Sequence, residues 1–126
     1  MFTTVIQVAL GGALGAALRY LSGVGIARMF GTGGFPLGVI FVNILGSGIM
    51  GALVVVFAHK GLTYLNPLVM TGVLGGFTTF SAFSLEAFTL WERGATGQAA
   101  VYVGASVILS LAALVAGAHI ARTALA

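Results

Sequence analysis

Four long apolar stretches, separated by short breaks, dominate the sequence. They cover residues 4–27, 37–58, 67–91 and 98–120. Each has about the 20 residues that an α-helix needs to cross the hydrocarbon of a bilayer. The breaks contain glycine, proline and charged residues, which are typical of turns. The pattern therefore predicts an all-α integral membrane protein with four transmembrane helices, forming a single domain over residues 1–126.

The composition agrees with lipid as the solvent. Hydrophobic residues make up 60% of the 126 positions and charged residues only 6%, whereas a soluble domain has about a quarter charged. The chain lacks cysteine, so disulfides and thiolate metal sites are excluded. With two acidic residues and two histidines, we find neither a metal-binding cluster nor a base–nucleophile pair, and we do not expect an enzyme. The five basic residues do not cluster, so no nucleic-acid partner is expected.

The basic residues also bear on how the chain inserts. With four spans, the N-terminus, the second loop and the C-terminus share one side, which carries Lys60 and Arg122. The first and third loops share the other side, which carries Arg28 and Arg93. Because positive charge near helix ends normally decides orientation, this balance predicts either insertion in both orientations or one weakly biased orientation. Insertion in both orientations would permit an antiparallel dimer.

Glycine is unusually frequent inside the predicted helices. Examples in the first two helices are Gly11, Gly12, Gly15, Gly46, Gly48 and Gly51. Small residues allow membrane helices to approach closely, so we interpret most of them as packing positions, within one chain or between copies.

The third span has two features that weaken a helix near its centre. Gly75 and Gly76 add backbone freedom, and Thr78 and Thr79 are β-branched. These residues predict a helix break within 75–79, although a continuous helix with packing glycines is the alternative. Broken helices near the midplane of the membrane commonly form ion sites.

Aromatic and hydroxyl residues follow this position. Phe77, Phe80 and Phe83 are interleaved with Ser81 and Ser84, and helical spacing places Phe80, Phe83 and Ser84 on one stripe. The edge of a phenyl ring is electropositive, so ring edges and hydroxyl donors together suit a small anion. A packing role for the aromatic residues is the alternative.

Polar residues also interrupt the second and fourth spans. Asn43 has an amide that either bonds to another helix or donates into a pore. Tyr102, Ser106 and Ser110 recur at intervals of four and form a hydroxyl track on one helix face. Packing of this polar stripe against another helix is the alternative.

Arg19 and Glu86 are the ionisable residues deepest within their predicted helices. Residues of this kind are candidates for function, although either side chain could extend to the membrane interface.

Several strings resemble the CrcB/Fluc family of fluoride channels, and the resemblance covers the full length of the chain. The matching strings are GALGAALRY at 12–20, PLG at 36–38, VN at 42–43, GGFTTFSAFSLE at 75–86 and GAS at 104–106. The string in the third span is the most specific. Ala82 departs from it, since many members have threonine there.

The resemblance implies a fluoride-selective channel in the bacterial inner membrane that passively releases fluoride from the cytoplasm. It implies an antiparallel homodimer with two pores, each lined by both subunits, and no other protein partner. Phe80 and Phe83 are implied to present their ring edges to fluoride. The polar pore residues are expected to be Asn43, Thr79, Tyr102, Ser106 and Ser110.

The resemblance also implies a structural Na⁺ on the dimer axis. Its expected ligands are the backbone carbonyls of Gly75 and Thr78 from each subunit. Glu86 is expected near a pore vestibule and Arg19 near a pore entrance.

Two other classes compete with this interpretation. A small multidrug-type transporter also has four spans, but it needs a carboxylate in the first helix, where this chain has Arg19 instead. A non-transporting membrane subunit needs only packing motifs, and the string at 75–86 is more than packing requires.

Overall fold

The structure, a computed structural model, describes residues 1–31 and 33–126. Four helical spans are long and apolar enough to cross a membrane, and no strand occurs among the described residues. The spans are Phe2–Phe30, Leu37–Lys60, Pro67–Glu92 and Thr96–Leu125. The predicted all-α class and the count of four spans are therefore confirmed, and the chain is a multi-pass membrane protein, which in bacteria places it in the inner membrane. The helices extend a few residues beyond the predicted apolar stretches.

The first, second and fourth spans are each a single α-helix, whereas the third consists of several helical segments. We label the helices α1 (Phe2–Phe30), α2 (Leu37–Lys60), α3 (Gly75–Phe77), α4 (Phe80–Glu92) and α5 (Thr96–Leu125). A 3₁₀ turn at Thr63–Leu65 and a π-helical segment at Pro67–Leu74 precede α3. Gly61, just after α2, has the left-handed conformation that commonly ends a helix, and its N–H donates to the carbonyl of Phe57.

Glycine contacts join α1 to the first half of the third span. A Cβ atom at Gly11 would overlap the carbonyl oxygen of Leu68, and one at Gly15 would overlap that of Val73. A Cβ at Gly76 would lie 2.7 Å from the carbonyl oxygen of Gly12. Only glycine permits backbones to approach this closely, so the packing role predicted for Gly11 and Gly15 is confirmed. A Cβ at Gly12 would meet no neighbouring element within 4 Å.

A second set of glycine contacts joins α2 to α5, which pack extensively on each other. A Cβ at Gly51 would overlap the carbonyl oxygen of Leu114, and one at Gly117 would overlap that of Gly48. Close packing of α2 on α5 leaves α4 to lie along the side of this pair.

One cluster of buried core residues lies between α2, α4 and α5. Its members are Ile40, Phe83, Leu90, Ala99 and Tyr102. In the 18-residue apolar window of each span, only 11–22% of the residues are buried within the chain. The remaining apolar surface must be covered by lipid or by another protein, since water does not solvate it favourably.

The helix break occurs at Thr78 and Thr79, which we call the break. Thr78 has ψ 160° and Thr79 has φ −154° and ψ 124°, both extended conformations. Gly75 remains helical, with φ −63° and ψ −37°. The predicted break is confirmed, but it is made by the threonines, whereas Gly76 is confined to the helix by its contact with α1. β-branched residues adopt extended backbone conformations readily, which explains this choice.

Candidate ion pathway at the helix break

Asn43 of α2 binds both backbone groups of Thr79. Its Nδ2 donates to the Thr79 carbonyl at 3.0 Å, and the Thr79 N–H donates to its Oδ1 at 2.8 Å. An unpaired backbone group in hydrocarbon costs several kcal/mol, so these bonds make the extended conformation tolerable. The interhelix hydrogen bond considered from the sequence is confirmed. Thr79 uses only one of the two Nδ2 hydrogens, and the other is available to donate into a pore. The role of Asn43 in the pore stays a prediction.

Two further hydrogen bonds fix the chain on either side of the break. On the N-terminal side, Nε of Arg19 in α1 donates to the carbonyl of Gly76 at 3.1 Å. On the C-terminal side, the N–H of Ala82 donates to Oγ1 of Thr79 at 3.1 Å, which caps α4. The Thr79 hydroxyl also lies 3.3 Å from that of Ser81. The break is therefore an ordered feature, bonded to two other helices.

Next to the break, a cavity of about 370 Å³ opens between α2, α4 and α5. We call it the serine cavity, and its polar lining residues are Asn43, Ser47, Thr78, Thr79, Ser106 and Ser110. The rest of its lining is apolar, including Phe80 and Phe83. None of the described residues that line it is charged. The cavity therefore presents hydroxyl and amide groups within an apolar wall.

The hydroxyl track of α5 is the most unusual feature of this site. Ser106 is 5% exposed and Tyr102 is fully buried. The hydroxyls of Tyr102, Ser106 and Ser110 are buried and have no hydrogen-bond partner in the described part of the chain. Leaving a buried hydroxyl unbonded costs about 1–3 kcal/mol, so three in a row on one helix face call for a ligand or water as partner. The structure places Ser106 and Ser110 at the serine cavity and Tyr102 one turn beyond.

The two phenylalanines differ in their surroundings. Phe83 is buried and stacks on Tyr102, with ring centroids 5.5 Å apart and an interplanar angle of 28°. Phe80 lies 5.4 Å from Phe83, tilted by 47°, and is 78% exposed. Ser84, expected on the same stripe, donates instead to the carbonyl of Phe80 at 3.0 Å and is exposed. Phe77 is buried near Gly46 of α2.

Arg19 and Glu86 line a second cavity of about 430 Å³, formed by α1, α2 and α4. We call it the arginine cavity; Thr79 lines both cavities. The two ionisable residues are thus brought together at one cavity. Their expected roles at a vestibule and an entrance stay predictions.

The carbonyls expected to bind Na⁺ have lost their helical donors. The N–H of Thr79, which would bond the Gly75 carbonyl in a continuous helix, donates to Asn43 instead. The N–H of Ala82, which would bond the Thr78 carbonyl, donates to the Thr79 hydroxyl. No side chain in the described part of the chain donates to either carbonyl; the Thr78 hydroxyl bonds Leu74. Two oxygen ligands are therefore free to bind a hard cation, which is what the expected site requires.

Ser47 lines the serine cavity and was not identified from the sequence. A signal existed, because Ser47 follows Asn43 by four positions and thus shares its helix face. A serine inside a long apolar helix is easily discounted, since its hydroxyl can bond its own backbone.

A broken helix beside buried, unpartnered hydroxyls in a multi-pass membrane protein is typical of membrane transport proteins. Comparison with known proteins narrows this class. The family model described as CrcB-like protein, Camphor Resistance (CrcB), matches residues 6–118, and the chain belongs to this family. The resemblance found in the sequence is therefore confirmed.

Relatives of this chain carry the name fluoride-specific ion channel FluC. The protein from Ruegeria sp. (strain TM1040) is 68% identical over 122 residues, covering 97% of each chain. The protein from Cereibacter sphaeroides (strain ATCC 17029 / ATH 2.4.9) is 63% identical over 117 residues, covering 93% of each chain. The protein from Rhodospirillum centenum is 49% identical over 124 residues, covering 97% of this chain and 98% of the relative.

Proposed function

We propose that this protein is a fluoride-selective channel through which fluoride leaves the cytoplasm passively. The observation that carries the proposal is the track of three buried hydroxyls without partners, beside a cavity that no described acidic residue lines. Fluoride is a small, strongly hydrated anion, so a pathway must replace its water with hydrogen-bond donors. Hydroxyl groups supply such donors. The names of the relatives support the choice of fluoride among small anions.

Within this channel, Phe80 and Phe83 present ring edges to the ion. Both residues line the serine cavity together with Ser106 and Ser110. Electropositive ring edges stabilise an anion without binding it so strongly that it cannot leave. The unused N–H of Asn43 adds one further donor at the end of the cavity near the break.

A second copy in the opposite orientation completes the pathway, giving an antiparallel homodimer with two pores. Phe80, though part of the cavity, is 78% exposed, so one wall of the pathway lacks a cover within a single chain. The balance of positive charge between the two sides permits both orientations. A twofold dimer would bury the same surface of both copies and form two equivalent pathways.

The carbonyls of Gly75 and Thr78 from both copies would bind a structural Na⁺ on the dimer axis. Gly75 is exposed on the surface of the single chain, as a ligand shared between two copies must be. When bound, the cation supplies positive charge that neutralises carbonyl dipoles lacking N–H donors. The residues of this chain provide the oxygens and, through Asn43 and Thr79, divert the donors that would otherwise occupy them.

Liposomes loaded with KF test the proposed function directly. After valinomycin is added to carry K⁺, a fluoride electrode should record rapid fluoride efflux from vesicles containing the purified protein. Vesicles loaded with KCl should show no chloride efflux. Absence of fluoride efflux with monodisperse protein would refute the proposal.

Serine-to-alanine variants test the hydroxyl track. Ser106→Ala and Ser110→Ala should lower fluoride efflux, because each removes a donor along the pathway. Their stability should be unchanged or higher, since each also removes an unbonded buried hydroxyl. Thr89→Ala is the matched control, because the Thr89 hydroxyl bonds its own helix and is exposed. Wild-type efflux in both serine variants would contradict the assignment.

The aromatic residues require a separate test. Phe80→Ile and Phe83→Ile should cut fluoride efflux while the assembly survives, because isoleucine lacks an electropositive edge. Phe88→Ile, at an exposed position of the same helix that does not line the serine cavity, should leave efflux unchanged. Unchanged efflux in both pore variants would remove the phenylalanines from the mechanism.

Orientation can be tested with a single cysteine, since the chain has none. If both orientations are inserted, about half of an Ala126→Cys variant should react with a membrane-impermeant thiol reagent in sealed vesicles. Complete labelling or none would indicate a single orientation.

A further inference from the structure

The carbonyl of Gly76 lies next to the break and cannot be bonded as in a continuous helix. In such a helix its donor would be the N–H of residue 80, but Thr78 and Thr79 are extended and α4 begins only at Phe80. The last carbonyls of every helix need partners from elsewhere. Arg19 supplies one here, across 57 positions of sequence, through Nε at 3.1 Å.

We propose that Arg19 is a positioning residue, which acts through its Nε–H on the Gly76 carbonyl and not through its positive charge on the permeating ion. The inference rests on the proposed function, since it concerns how the break of the channel is shaped. It gives Arg19 a role at the backbone of the third span, whereas the resemblance to the fluoride channels implied only a position near a pore entrance.

The packing of α1 supports this assignment. Gly15 and Arg19 are four positions apart and so share a helix face. Gly15 lies against the carbonyl of Val73, and Gly76 against Gly12 and Ala16, so the two backbones are in contact along this face. Because α1 lies so close, the first nitrogen of the arginine side chain reaches the carbonyl. A terminal nitrogen would be the natural donor if the helices were further apart.

The position of the bond explains why it matters. Gly76 lies between Gly75 and Thr78, whose carbonyls have no side-chain donor in the described part of the chain. Asn43, from α2, binds Thr79, the residue that follows Thr78. Arg19 and Asn43 therefore constrain the break from two different helices. Loss of either bond should let the free carbonyls reorient.

Two substitutions separate the donor from the charge. In Arg19→Gln, the amide nitrogen is bonded to Cδ, as Nε is in arginine, so a donor is kept at the same place and the charge is removed. In Arg19→Lys the charge is kept, but a methylene group occupies the position of Nε. Arg28→Gln, at the end of the same helix, controls for loss of a positive charge from α1.

Hydrogen exchange of the purified protein in lipid nanodiscs provides a measurement that does not depend on fluoride. The amides of Thr79 and Ala82 report on the break, because both bond to groups that the break arranges. Arg19→Lys should speed their exchange by about tenfold, whereas Arg19→Gln should stay within about twofold of wild type. Arg28→Gln should match wild type. In the KF liposome assay, Arg19→Gln should retain several-fold more fluoride efflux than Arg19→Lys.

The opposite order, with Arg19→Lys like wild type and Arg19→Gln impaired, would show that the charge matters and would overturn the proposal. Equal exchange rates in both variants, whether fast or slow, would also overturn it. If Arg19→Lys fails to fold, faster exchange in folded Arg19→Gln would still refute the donor role. Should wild-type protein conduct no fluoride, the proposed function fails, while the exchange data still decide the role of Arg19 at the break.

Discussion

Replacing Asn43 by alanine tests how the break is stabilised. The substitution removes two hydrogen bonds, of 3.0 and 2.8 Å, and leaves the N–H and carbonyl of Thr79 without their partner. An interhelix hydrogen bond in a membrane is worth about 0.6–2 kcal/mol. A buried backbone group left unbonded costs about 1–3 kcal/mol. Since one alanine substitution incurs both effects at a partly buried site, we expect a loss of about 2–4 kcal/mol in the free energy of unfolding.

Equilibrium unfolding in mixed micelles of dodecylmaltoside and sodium dodecyl sulfate measures this loss. Trp91, the only tryptophan, lies at the end of α4 and provides the fluorescence signal. Ser47→Ala is the matched control, because Ser47 lies one turn away on the same helix and lines the same cavity. That variant should lie within about 0.5 kcal/mol of wild type, as is usual for substitutions without a special contact. If Asn43→Ala were no less stable than Ser47→Ala, the hydrogen bonds to Thr79 would not be what maintains the break.

Two further substitutions test the helix contacts and the cap. Gly15→Ala should destabilise the protein by about 1–3 kcal/mol, because its Cβ would overlap the carbonyl of Val73. Gly12→Ala is the control and should not destabilise it, because a Cβ at Gly12 meets no neighbouring element within 4 Å. Equal unfolding midpoints of the two variants in mixed micelles would refute the packing argument. Thr79→Val should lower the free energy of unfolding by about 0.5–2 kcal/mol, because it removes the hydroxyl that caps the N–H of Ala82. Thr79→Ser keeps a hydroxyl and should retain most of this stability. If the valine and serine variants unfold at the same detergent fraction, the cap contributes nothing.

The position and nature of the break could be predicted only in part. Two glycines and two threonines all weaken a helix, so local propensity indicates residues 75–79 without distinguishing among them. The structure assigns Gly76 to packing against α1 and the threonines to the extended segment, while Gly75 stays helical. The position of the break depends on contacts with Gly12 and Asn43, which belong to other helices. Helix propensities of the residues at 75–79 take no account of such contacts.

Asn43 and Arg19 show the same limit. An amide and a guanidinium inside apolar helices must find partners, and this requirement is evident from the sequence. Their partners are the backbone of Thr79, 36 positions away, and that of Gly76, 57 positions away. Backbone acceptors exist at every residue, so only the arrangement of helices decides which of them is bonded.

The number of spans, the membrane environment and the positions of the polar groups within the spans were all determined by the sequence itself. This is because lipid forces each apolar stretch to satisfy its own backbone hydrogen bonds as a helix. The tertiary structure alone decided that Asn43 and Arg19 bond the break, and that the hydroxyls of Tyr102, Ser106 and Ser110 bond nothing in the described chain. Hydrogen bonding between distant segments depends on helix contacts of a few ångströms, which glycines such as Gly15 and Gly51 permit.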